Sequence, residues 1–133
     1  MEGFPVVVHV DVRFRDLDPL GHVNNAVHLS YMELARIRYF QRISPDWLQE
    51  GHFVVARMEV DYLKPIYLED EVRVGAKVVG IGRSSLKMEH LILANGEPAA
   101  RGLSVLVWLD EGRPAPLPEA VRRRIGEVEG HPL

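Results

Sequence analysis

From Val23 to Phe40 the apolar residues do not keep to one stripe. Val23, Ala26, Val27, Leu29, Tyr31, Met32, Leu34, Ala35, Ile37, Tyr39 and Phe40 spread over much of the circumference of a helix. A helix apolar on most sides has to be buried. Ala26 to Gln41 gives a rod of roughly 24 Å at ~1.5 Å per residue. The rest of the chain must therefore wrap around it. Ser30, Glu33, Arg36 and Arg38 interrupt the apolar surface, and Glu33 can pair with Arg36 one turn on.

The flanking segments have the material for wrapping. Pro5 to Arg15 alternates, with Val6, Val8, Val10, Val12 and Phe14 on one face and Val7, His9, Asp11, Arg13 and Arg15 on the other. Period two with β-branched residues predicts a half-buried strand, with His9 on its solvated side. Phe53 to Tyr62 and Glu71 to Ile81 alternate in the same way, the second with Val72, Val74, Ala76 and Val78 on one face. Gly80, Gly82 and Arg83 predict a turn or bulge. Ser85 to Ala94 and Ala99 to Leu109 are strands joined by Asn95-Gly96, a strong hairpin signal. Ser44-Pro45 ends the helical pattern, and Asp46 to Gly51 predicts a short helical turn. Gly112, Pro114, Pro116 and Pro118 form an extended tail before a helix over Glu119 to Val128, whose Arg122, Arg123 and Arg124 read as a solvated face. Short-linked strands make an antiparallel sheet, and the α+β architecture is a curved sheet around a central helix.

Between first strand and helix lies Asp16-Leu17-Asp18-Pro19-Leu20-Gly21-His22-Val23-Asn24-Asn25. Asn24 or Asn25 is a good N-cap. Asp18 then stands before a helix N-terminus, where unpaired N–H groups and the helix dipole favour negative charge. A carboxylate beside such donors suits acyl chemistry.

The chain has 133 residues, enough for one domain over 1–133, and carries a formal net charge of −3. That charge gives no reason to expect a nucleic-acid partner. Absence of cysteine excludes disulfides and thiolate chemistry and fits a cytoplasmic setting. Met1-Glu2-Gly3-Phe4-Pro5 does not resemble a signal peptide, and no apolar run would span a bilayer.

The layout resembles the hotdog fold. Asp16 to Gly21 looks like the turn motif of the 4-hydroxybenzoyl-CoA thioesterase family, and His22-Val23-Asn24-Asn25 is similar to the acyl-acyl-carrier-protein thioesterases of that superfamily. Tyr62-Leu63-Lys64-Pro65, Glu69-Asp70-Glu71-Val72 and Gly82-Arg83-Ser84-Ser85 extend the resemblance, which runs from about Val8 to Leu109. It implies hydrolysis of an acyl-CoA thioester, with a carrier-protein ester or non-catalytic acyl-CoA binding as the alternatives. It places the catalytic aspartate on Asp18 rather than Asp16. In the plant enzymes an aspartate, an asparagine and a histidine act from this turn. Asp18 and His22 match two of them, but Leu20 stands at the asparagine and Pro65 near a further acidic residue. Another subgroup keeps its acid in the central helix, which makes Glu33 the fallback.

On this reading Asp18 is general base or nucleophile and His22 orients Asp18 or water. Backbone N–H groups of Val23, Asn24 and Asn25 polarise the carbonyl. Lys64, Arg83, Ser84, Ser85 and Lys87 are candidates to meet CoA, and Tyr31, Tyr62, Phe53 and Met58 to line the acyl pocket. No cofactor is called for. His22 and His28, spaced i,i+6, would not share a helical face, so no metal site is expected. Each subunit of the resembling family offers half a groove, which implies a homodimer or homotetramer.

Overall fold

The structure, a computed structural model, describes residues 1–44, 53–131 and 133. The short helical turn expected over Asp46 to Gly51 lies outside them. Strand β1 is Val6–Val10, helix α1 Asn25–Ile43, then β2 Phe53–Tyr62, β3 Val72–Ile81, β4 Ser85–Ala94, β5 Glu97–Asp110, β6 Arg113–Pro114 and helix α2 Glu119–Glu129. The strands form one antiparallel sheet in the order β1-β3-β4-β5-β2, with β6 pairing the end of β5.

Alternation places one face of every central strand against α1. Val8, Val74, Ile92 and Ala100 align across four strands, and Ala76, His90 and Gly102 make the next row. Helix α1 packs on β1, β3 and β4. It approaches β5 closely at Gly102, where a Cβ would come within 2.5 Å of Met32 Sδ. Asn95 and Gly96 have φ values of 52° and 80°, as a two-residue hairpin turn requires. The expected bulge appears as a register shift between Val78 and Gly80.

Three expectations need correction. Strand β1 ends at Val10 rather than Arg15, and Phe14 is 81% exposed in a 3-10 turn over Phe14–Asp16. Val10 pairs with Val72, the first residue of β3, so the alternating residues beyond it have no partner strand. The arginine run is not simply solvated. Arg122 donates to the carbonyls of Gly82 and Arg83, and Arg124 to that of Ile43, so both tie α2 to its neighbours. Finally, α1 is not buried on most sides: Leu29 and Leu34 are exposed, and its buried face carries His28 and Arg36. Arg36 lies 3.7 Å from Glu33 as expected, and its buried Nη1 has no partner among the described residues. His90, beneath the helix, approaches Ser104 Oγ at 3.0 Å. Burial, with the nearby charge of Arg36 adding to it, pushes His90 down to about 3. Among the described residues no helix is long and apolar enough to cross a membrane.

Candidate functional site

The turn before α1 is held from both sides. Asp16 Oδ2 accepts from the Arg13 amide at 3.0 Å and the Tyr31 hydroxyl at 2.7 Å, which fixes the turn to the helix two turns along. The Asp16 carbonyl takes the Asn24 amide at 2.9 Å, and the Ile66 carbonyl takes the Val23 amide at 2.8 Å. Asn24 is the N-cap, its Oδ1 accepting from the Ala26 amide at 2.8 Å.

Asp18 sits inside this frame. Its Oδ1 accepts from the amides of Leu20 at 2.9 Å and His22 at 3.4 Å, and its Oδ2 lies 3.1 Å from His22 Nδ1. A carboxylate oxygen only accepts there, so Nδ1 carries the proton and Nε2 the lone pair. His22 is not helical. It bridges to Tyr67 and precedes α1, so the spacing rule that separated it from His28 does not apply. His22 and His28 both line one cleft of about 270 Å³, together with Val23, Asn25, Tyr62, Leu63, Lys64 and Pro65. Larger hollows of about 450 and 600 Å³ around Phe4 on the outer side of the sheet lack this Asp–His arrangement.

Of the three amides expected to polarise a carbonyl, those of Val23 and Asn24 are committed to Ile66 and Asp16. Asn25, the first helical residue, has no intrahelical acceptor for its N–H. Glu33 is not part of the cleft; it borders another hollow with Asp16, Ser30 and Leu34. Lys64 lines the cleft while bonding Glu97 at 2.8 Å. Arg83, Ser84, Ser85 and Lys87 do not join it within one chain. Tyr62 pairs with Ala100 and Ser85 with Val107, so the two groups stand at opposite ends of the sheet, roughly 20 Å apart at ~3.3 Å per strand residue. Of the aromatic and methionine candidates only Tyr62 lines the cleft. Tyr31 is buried on Asp16, Phe53 stacks on Phe40 and meets Trp108 edge-to-face, and Met58 packs against the core.

Sequence reasoning gave no site role to His28. Its 2% exposure at the wall of the cleft is the signal, and it is a tertiary one. Among the described residues no group of three or more His, Cys, Asp or Glu is placed to hold a metal ion.

The sequence profile of the thioesterase-like superfamily matches residues 12–125. A crystal structure of a thioesterase complexed with coenzyme A and Zn from Thermus thermophilus is 80% identical, covers all of both chains and superimposes with a TM-score of 0.97. The chloroplastic acyl-acyl carrier protein thioesterase ATL3 of Arabidopsis thaliana is 28% identical over 124 residues, 88% of this chain and 65% of that protein. The uncharacterized acyl-CoA thioester hydrolase YkhA of Bacillus subtilis is 36% identical over 86 residues, 59% of this chain and 50% of that protein.

Proposed function

The chain belongs to the thioesterase-like superfamily, and on that premise we propose that it hydrolyses acyl-CoA thioesters with the Asp18–His22 pair as general base. The observation that carries this reading is the 3.1 Å contact from Asp18 Oδ2 to His22 Nδ1, with His22 on the cleft wall beside the N-terminus of α1. Similarity to a thioesterase complexed with coenzyme A supports the choice of thiol.

Water attacks the thioester carbonyl carbon and gives a proton to His22 Nε2, while Asp18 stabilises the imidazolium. The oxyanion meets the Asn25 amide and the positive end of the helix dipole. The C–S bond then breaks, its electron pair leaves on sulfur, and the thiolate takes the proton from His22. Asp18 acts through His22 rather than attacking directly, because both its oxygens are engaged inside the turn and it does not line the cleft.

The CoA-binding candidates fit a dimer. Among the described residues strand β2 pairs only with β5 and ends the sheet, leaving its other edge open. Antiparallel pairing of two such edges would bring one subunit's Arg83-Ser84-Ser85 turn toward its partner's cleft and Lys64. A second reading, a carrier-protein thioester, is favoured by the similarity to ATL3. Thiol release is measured with short, medium, long and aromatic acyl groups, each carried on CoA and on carrier protein. Faster turnover of the CoA esters supports the proposal. Far faster turnover of the carrier-protein esters moves the substrate, and binding without turnover removes the hydrolase reading.

A further inference from the structure

His28 lies one turn into α1 and borders the same cleft as His22. Its Nδ1 is 3.0 Å from the Asn24 carbonyl oxygen. A carbonyl only accepts, so Nδ1 is the protonated nitrogen, turned back onto the helix cap. The lone pair is then on Nε2, which has no hydrogen-bond partner among the described residues, and His28 lines the cleft. The ring plane is fixed too. Tyr62 stands edge-to-face against it, centroids 5.0 Å apart at 83°, and the Tyr62 hydroxyl donates to the Asn25 carbonyl at 2.8 Å. The first turn of α1 thus sets both the tautomer and the orientation of His28.

The charged and titratable groups around it are His22 with Asp18 behind it, Lys64 on the cleft wall, and the phenols of Tyr62 and Tyr31. Burial holds the His28 imidazole below its ordinary range; the Asn24 bond works against that, and a charge on His22 adds to the lowering. One cleft therefore holds two imidazoles of the same tautomer, only one of which has a carboxylate at its back.

We propose that His28 is a further catalytic residue, whose Nε2 accepts one O–H of the attacking water while His22 takes the proton of the other. This rests on the thioesterase reading above. His28 gains no proton and forms no bond beyond the hydrogen bond. Two acceptors fix both O–H directions of the water and turn its lone pair to the thioester carbon. The bonds made and broken remain those of the hydrolysis already described.

The test is kcat and KM for thiol release from whichever acyl-CoA the wild type turns over, in His28→Phe and His28→Gln, with thermal unfolding to confirm folding. Phenylalanine keeps the ring against Tyr62 and deletes the acceptor, so kcat should fall about 100-fold with KM little changed. Glutamine keeps an acceptor and should recover at least about 10-fold of that loss, with the acid limb of the kcat–pH profile where the wild type has it. Wild-type kcat in His28→Phe overturns the inference. So does equal loss in both variants with raised KM, which marks a packing role, or disappearance of the acid limb in His28→Gln, which makes His28 the titrating base. A wild type that turns over no acyl-CoA overturns the underlying hydrolase proposal instead.

Discussion

Asp16 and Asp18 stand two residues apart in one turn, and their surroundings set them to different work. Asp16 is 3% exposed and points inward, gathering Arg13 and Tyr31 and tying the turn to α1. Asp18 is partly exposed and keeps its bonds within the turn; the last of them leads to His22 and so to the cleft. The residue type is the same. The partners decide the role: a carboxylate whose bonds end in the core holds the fold, and one whose bonds end at an opening can do chemistry.

The comparison breaks most clearly at His22. Replacing it with alanine should cost about 10²–10⁴ in kcat, as loss of a general base does, with only a small change in melting temperature. A comparable loss of stability would put His22 on the Asp16 side of the divide. Asp16→Ala should do the reverse. It leaves the buried Tyr31 hydroxyl without its acceptor, and removing one partner of a buried bond costs about 1–3 kcal/mol, measured by denaturant unfolding. Tyr31→Phe deletes the donor and keeps the ring, and should cost about 1 kcal/mol in the same assay. If it instead abolished activity at unchanged stability, Asp16 would belong to the chemistry.

A smaller effect lies in the pH dependence of stability. Burial alone would raise the Asp16 carboxyl, but the bonds from the Arg13 amide and Tyr31 hydroxyl, with the charge of Arg13, hold it below its ordinary 3.8. The unfolded chain therefore binds the proton more readily. The stabilisation is present above about pH 4 and is lost as pH falls through the folded value. Wild type should melt above Asp16→Asn at pH 6, and the gap should narrow as the pH falls to 3.

Much of the frame was legible from local pattern. Alternation marked β2 to β5, Asn95-Gly96 marked the hairpin, and the Asn24-Asn25 pair, either of which could cap, marked the start of α1, because each signal acts within a few residues. Phe14 was misplaced because alternation says nothing about where the neighbouring strand ends. The Asp18–His22 pair came from a short motif, and its geometry follows from the turn itself. The placement of His28 and His90 escaped because it depends on a helix meeting a sheet from distant parts of the chain. Arg122 and Arg124 were misread for the same reason, their acceptors lying 39 and 81 residues away.

The central claim is that the Asp18 carboxylate drives thioester hydrolysis through His22. Thiol release from saturating acyl-CoA is the direct test, with wild type and Asp18→Asn compared at equal folded concentration. Asparagine keeps the shape but removes the charge that holds His22 in its tautomer, so turnover should drop by about 10²–10⁴. Turnover within a few-fold of wild type would contradict the account.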